Sequence, residues 1–285
     1  MISVVIPAFN EAGAIGDTIA QIQRVLGTTE HEIVVVDDGS SDQTAAQAAA
    51  AGGRVVSHPH NLGYGAALKT GIRAAVFDTV VITDADGTYP TSDIPRLLAE
   101  FGQGFNMVVG ARSGEHYRES LLKAPLRHLL KWLVEFTTGR HIPDVNSGFR
   151  IFSRHEMLPY LNHLCNTFSF TTSVTLAYMM TAKFVGYIPI AYNQRIGQTK
   201  VRLFRDSLRT LQYIVQAILY YNPLKMFLLI SAALLVLASG LLFVALQWKI
   251  MTAFYLGVGS LLLMIVVFCL GLLAELLSQI MVKPR

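Results

Sequence analysis

Short apolar runs alternate with amphipathic stretches through the first 110 residues. The runs at 2–6, 32–36, 54–57, 80–83 and 106–110 are rich in β-branched residues and bounded by polar or Gly/Pro positions, which predicts strands. Between them, Ile15, Ile19, Ile22 and Leu26 recur at helical spacing, an Ala-rich stretch covers about 42–51, and Asn61-Leu62-Gly63-Tyr64-Gly65 opens a further helix. Strands alternating with helices predict a doubly wound α/β sheet. In such a sheet, residues at the C-terminal strand ends converge in space on one crevice.

The pattern then changes. Leu122, Leu126, Leu129, Leu130 and Leu133 lie at helical spacing, with Lys123, Arg127, His128 and Lys131 on other faces and Trp132 nearby. A second basic amphipathic stretch places Arg202, Arg205 and Arg209 beside Phe204, Leu208, Leu211, Val215, Ile218 and Leu219. Two such helices fit a bilayer interface; packing on a neighbouring domain or on nucleic acid would leave the same pattern. Residues 226–246 and 252–274 carry no charge, and each run is long enough to cross ~30 Å of hydrocarbon. Arg209 and Lys225 precede the first run, Lys283 and Arg285 follow the second, and Lys249 stands between them. The positive-inside tendency therefore places both ends of this hairpin in the cytosol.

Composition agrees with a membrane protein: 52% of the 285 residues are hydrophobic and 15% are charged. A net charge of +4 fits nucleic acid or anionic lipid, and the position of the cations beside apolar faces favours lipid. Cys165 and Cys269 lie far apart and lack metal-site spacing, in keeping with a reducing compartment. The chain opens directly on a strand, with no basic segment and apolar core of a secretory signal, so the polar part is expected in the cytosol.

The strand tips carry the chemistry. Asn10 and Glu11, Asp37 and Asp38, and Asp84 and Asp86 follow successive runs, so five carboxylates are expected to line one crevice. They repel one another unless cations or hydrogen-bond donors compensate, and a metal ion with a nucleotide's donors would supply both. Taken alone, Asp84-Ala85-Asp86-Gly87 reads equally as a solvated turn. Gly63-Tyr64-Gly65 lacks the third glycine of a dinucleotide fingerprint, and Lys69-Thr70 lacks the glycine of a phosphate-binding loop. Two readings of Gly63 and Gly65 stay open: a helix N-terminus that meets an anion, or close packing of the helix on its neighbours. The loops Asn146-Ser147-Gly148-Phe149-Arg150 and Arg195-Ile196-Gly197-Gln198-Thr199-Lys200 carry cations expected to face the carboxylates across the cleft.

Together, Val4-Val5-Ile6-Pro7-Ala8-Phe9-Asn10-Glu11, Val35-Val36-Asp37-Asp38-Gly39-Ser40, Asp84-Ala85-Asp86-Gly87, Ser147-Gly148-Phe149-Arg150 and Gly197-Gln198-Thr199-Lys200 make a specific set. The chain resembles the family 2 glycosyltransferases of GT-A fold, in particular the polyprenyl-phosphate sugar transferases. The resemblance implies a doubly wound, Rossmann-like mixed sheet with amphipathic interface helices and a C-terminal two-helix transmembrane hairpin. It divides the chain into a nucleotide-sugar half at 1–115, an acceptor half at 116–225 and the hairpin at 226–285. It implies that Pro7, Phe9, Glu11, Val36 and Asp38, with Asp84 and Ala85, hold the nucleotide. Asp84, Asp86 and Thr88 would form the shell for Mg²⁺ or Mn²⁺, with Thr88 at a position where dolichyl-phosphate mannose synthases have Gln. Asp86, Arg112, Arg150, Arg195 and Lys200 would act at the diphosphate or the acceptor phosphate.

The activity so implied is metal-dependent, inverting transfer from a UDP- or GDP-sugar to a polyprenyl phosphate at the cytosolic face of the inner membrane. No nucleic-acid partner is expected, and homo-oligomerisation is left open. Two other readings stand beside it: transfer to a lipid hydroxyl, and a membrane-tethered scaffold with a decayed site. Hydroxyl-directed relatives in the resembled family usually place an acid in the helix after the acceptor loop, and the corresponding residues 168–175 contain none, which weighs against the hydroxyl acceptor.

Overall fold

A computed structural model describes residues 1–113, 124–193 and 203–282. The chain divides into two compact units, Met1–Tyr213 and Ile214–Arg285. In the first, seven strands among the described residues make one sheet: β1 (Ile2–Ala8), β2 (His31–Asp37), β3 (Arg54–Ser57), β4 (Thr79–Ile82), β5 (Met107–Ser113), β6 (Arg150–Ser153) and β7 (Val185–Ala191). Their order is β3-β2-β1-β4-β6-β5-β7. Strands β1 to β4 pair in parallel, β6 runs antiparallel to both β4 and β5, and β5 pairs in parallel with β7. The sheet is thus mixed. The expected halves at residue 115 share it, because β6 lies between β4 and β5.

The apolar runs are buried because helices cover the sheet. Every residue of β1 is buried, and α1 (Ile15–Leu26) turns Ile15, Ile19, Ile22 and Leu26 into the core. Each of those side chains contributes roughly 2 kcal/mol of burial. The Ala-rich stretch forms α2 (Thr44–Ala50). Helix α3 (Tyr64–Ala74) lies so near the sheet that a Cβ on Gly71 would sit 2.3 Å from Val5 Cγ1. Helix α4 (Ile94–Phe101) starts after the acid-rich turn that follows β4, and α5 (Ala124–Thr138) is the first basic amphipathic stretch. A single turn, α6 (Arg154–Met157), follows β6, and α7 (Phe170–Met180) precedes β7. Sequence patterning gives no strand at β6 or β7. At β6 a buried Arg150 separates Phe149 from Ile151 and Phe152; in β7 the break is Pro189, which an edge strand accommodates because one of its sides has no strand to pair with.

Helix α8 (Leu203–Tyr221) crosses the boundary between the units. The second unit is dominated by α9 (Pro223–Trp248) and α10 (Met251–Val282). Asn222 caps α9 by accepting from Lys225 N, and Pro223 occupies the first turn. Lys249, in the left-handed region at φ 52, turns the chain between them. Both helices reach a mean hydropathy of 2.7 and are long and apolar enough to cross a membrane. Small residues let them approach: Ser231, Ala238 and Ala245 are buried at heptad spacing on α9, and a Cβ on Gly271 of α10 would lie 2.5 Å from Phe227 Cβ.

Candidate active site

The bend after β4 carries Asp84 and Asp86. Its geometry follows from three restraints: Ala85 O accepts from Thr18 Oγ1 of α1 at 3.1 Å, Gly87 adopts φ 72, and Thr88 is fully buried. Asp84 Oδ1 accepts from the Tyr64 hydroxyl at 2.9 Å. Burial, with the Asp84 charge beside it, pushes the Tyr64 phenol well above its ordinary range, so it stays a protonated donor. The Tyr64 ring stacks on Phe168, with centroids 5.6 Å apart. Asp86, itself buried, accepts at Oδ1 from Thr88 Oγ1 at 2.6 Å and from Thr88 N at 3.1 Å. Thr88, expected in the metal shell, donates its hydroxyl to the Asp86 carboxylate and so supports that acid.

Opposite the acids lies the loop before β6. Gly148 has no room for a side chain: a Cβ there would be 2.6 Å from Tyr64 Oη and 3.1 Å from Asp84 Oδ1. Gly148 N donates to Tyr89 Oη at 2.7 Å. The Tyr89 ring stacks on Phe149 and meets Tyr192 edge-on at 5.5 Å. Asp144, at the start of the same loop, takes Arg112 in a two-pronged pair, Nε to Oδ2 at 2.7 Å and Nη2 to Oδ1 at 3.0 Å. Arg112 Cζ also lies 5.4 Å from the centre of the Tyr192 ring. Burial raises the Asp144 pKa, but the charge and hydrogen bonds of Arg112 outweigh it and hold the carboxyl below its usual range. Arg112 is thus braced by a carboxylate.

Arg150 was expected in a loop, facing phosphate. Instead it opens β6 and is fully buried. Its guanidinium donates to Ser147 O at 2.7 Å, Val145 O at 2.8 Å and Thr175 Oγ1 at 2.8 Å, so it holds the 145–147 backbone against α7. The Arg195–Lys200 stretch lies outside the described residues. Asn193, just before it, donates its N–H to Thr88 O at 2.9 Å.

The nucleotide-side residues separate in the same way. Phe9 and Glu11 sit half-buried past the end of β1, while Pro7 lies buried within it. Val36 is fully buried, and its Cγ2 packs at 3.1 Å from where a Gly71 Cβ would stand, so its side chain faces α3. Asp38 is also turned inward. It accepts from Leu62 N at 2.9 Å and Gly63 N at 2.8 Å, and His58 Nδ1 stands 2.7 Å from its Oδ1. The expected repulsion among the strand-tip acids is relieved at Asp38 by the chain's own donors. Gly63 and Gly65 serve close packing: a Cβ on Gly65 would be 2.3 Å from Cys165 O, and Ala66 N is taken by Asn166 O at 3.0 Å.

Among the described residues no group of three or more His, Cys, Asp or Glu side chains converges as a metal site. Two carboxylates at one bend, each fixed by a hydroxyl donor, still suit Mg²⁺ or Mn²⁺, which commonly takes one or two protein carboxylates and completes its shell with water and substrate phosphates. The residues present fit such an ion.

Residues 3–157 match the glycosyl transferase family 2 model, more than half of the chain. The chain belongs to glycosyl transferase family 2. Among its relatives in that family, a dolichyl-phosphate hexose transferase of Haloferax volcanii is 30% identical over 205 residues, covering 71% of this chain and 87% of its own. An undecaprenyl-phosphate 4-deoxy-4-formamido-L-arabinose transferase of Klebsiella pneumoniae is 28% identical over 257 residues, covering 86% of this chain and 76% of its own. The fold is similar to that of glucosyl-3-phosphoglycerate synthase from Mycobacterium tuberculosis in complex with Mn²⁺, UDP and glucosyl-3-phosphoglycerate, with a TM-score of 0.62 and 23% identity over 76% of this chain and 79% of that one. As a family 2 glycosyltransferase the chain is an enzyme with a GT-A sheet, and its acid pair stands at the C-terminal end of β4.

Sequence reasoning missed Asp144, Tyr64, Tyr89 and Tyr192. Asp144 stands two residues before the 146–150 loop, and an acid so near the Arg150 cation is the available signal. The tyrosines gave none, since their partners are remote in the chain.

Proposed function

We propose that this enzyme moves a sugar from a UDP- or GDP-linked donor to the phosphate of a polyprenyl phosphate, with inversion, at the cytosolic face of the inner membrane. The observation that carries the acceptor is the start of α7. Hydroxyl-directed members of the resembled family usually place an acid in the helix after the acceptor loop; here Thr171, Thr172 and Ser173 are buried hydroxyls and no acid occurs from 168 to 175. A phosphate monoester, with a second pKa of about 6, arrives already ionised and needs no base. The dolichyl- and undecaprenyl-phosphate acceptors in the relatives' names support the same reading.

In the reaction, a phosphate oxygen of the lipid forms a bond to the anomeric carbon as the bond from that carbon to the donor diphosphate breaks. The electron pair leaves on the nucleoside diphosphate. Asp84 and Asp86 would hold a divalent ion, which when bound neutralises charge on the diphosphate. Phe9 and Glu11 stand where the base and ribose would lie. Arg112, braced by Asp144, with Arg195 and Lys200, would meet phosphate oxygens and fix the attack in line. On α5, Trp132 and Phe136 stack at 5.4 Å and stay exposed, which supports a bilayer-interface position for that helix. The cytosolic orientation rests on Lys225, Lys283 and Arg285 flanking the hairpin.

The test is incubation of the purified protein with labelled UDP- or GDP-sugars and undecaprenyl phosphate, with and without EDTA. Label should enter the lipid phase with one nucleotide class, vanish on chelation, and fail to appear with Asp86→Asn. Chelator-resistant transfer would contradict the reading.

A further inference from the structure

The two acids are not merely adjacent to hydroxyl groups. Each is anchored by one, from a different part of the chain. Tyr64 reaches Asp84 from the start of α3 at 2.9 Å, and Thr88 reaches Asp86 from within the bend at 2.6 Å. Neither holder is incidental. The Tyr64 hydroxyl is trapped between Asp84 and the bare backbone of Gly148, where a single Cβ would come within 2.6 Å of it. Phe168 closes over the ring by stacking. Thr88 is fully buried, and Tyr192 hydrogen-bonds its side chain while Asn193 N bonds its carbonyl.

We propose that Tyr64 and Thr88 are positioning residues, one hydroxyl per carboxylate, which fix the rotamers of Asp84 and Asp86 and so preset the site for a divalent ion. The inference rests on the metal reading given under Proposed function. With two carboxylates as the candidate ligands among the described residues, hydrogen bonds from outside the shell serve to orient them. Tyr64 does so from 20 residues away, packed against Gly148 of the loop that carries Asp144. Thr88 does so locally and ties Asp86 to Asn193, where the stretch toward Arg195 and Lys200 begins.

The experiment titrates Mn²⁺ by the electron paramagnetic resonance of the free ion, in the presence of UDP or GDP, whichever raises the melting temperature of the unaltered protein. Tyr64→Phe and Thr88→Val each remove one hydroxyl with little change of volume; Thr88→Ser keeps it. Tyr64→Phe and Thr88→Val should weaken Mn²⁺ binding roughly 10-fold or more, while Thr88→Ser stays near the unaltered protein. Transfer by the two weakened variants should recover when Mn²⁺ is raised by the same factor, which a merely misfolded protein would not do. If Tyr64→Phe fails to fold, the contrast between Thr88→Val and Thr88→Ser decides. Unchanged Mn²⁺ binding in Thr88→Val and in a folded Tyr64→Phe overturns the inference while leaving the metal reading intact. No Mn²⁺ binding by the unaltered protein with either nucleotide overturns both.

Discussion

Replacing Arg150 by Met separates a structural cation from a catalytic one. Met keeps an unbranched apolar stem but removes the guanidinium, so Ser147 O loses its donor, Val145 O keeps only Thr175 Oγ1 at 3.5 Å, and Thr175 Oγ1 loses one of its bonds. Each orphaned buried carbonyl costs about 1–3 kcal/mol. Relief of the desolvation of a fully buried charge offsets part of this, leaving a net loss of about 3 kcal/mol. For a unit the size of Met1–Tyr213, that lowers the melting temperature by on the order of 10 °C. The assay is thermal unfolding in detergent followed by intrinsic fluorescence, alongside transfer activity measured well below the transition. The account predicts a large drop in melting temperature and a modest loss of low-temperature activity. An unchanged melting temperature with transfer down by roughly 100-fold, the scale of a lost charge-stabilising group, would put Arg150 on substrate phosphate and refute the reasoning.

Other expectations follow from the same packing. The folded-state pKa of Asp144 is depressed, so the Arg112–Asp144 pair stabilises the protein above the ordinary carboxylate pKa of about 3.9, and that contribution is lost as pH falls through the lower folded value. Asp144→Asn should therefore lower the melting temperature at pH 7 and flatten its acid limb; an unaltered limb would mean that the pair contributes nothing. Gly71→Ala should destabilise by about 1–3 kcal/mol, read by urea unfolding, because its Cβ would stand 2.3 Å from Val5 Cγ1 in a sheet that cannot retreat.

Much of the first unit was legible because burial imposes a period. Strands covered on both faces read as unbroken β-branched runs, and α1 shows its inner face as Ile15, Ile19, Ile22 and Leu26. The acid pair was legible because it ends such a run. What escaped was set by partners distant in sequence. Arg150 reads as a loop cation until Val145, Ser147 and Thr175 close around it. Asp38 reads as one of several mutually repelling strand-tip acids until Leu62 and Gly63 supply its donors. Strand β7 was hidden by Pro189, whose place at the sheet edge only the topology reveals. The tyrosine that holds Asp84 carries no local signal, since nothing within three or four residues of Tyr64 indicates a carboxylate across the cleft.

The central claim is the acceptor, and one competition tests it most directly. The purified enzyme, its cognate labelled nucleotide sugar and Mg²⁺ are supplied with undecaprenyl phosphate and undecaprenol together, and the lipid products are identified by mass. The account predicts sugar joined through phosphate, released by mild acid, with none on the free alcohol. Transfer to the undecaprenol hydroxyl would contradict it.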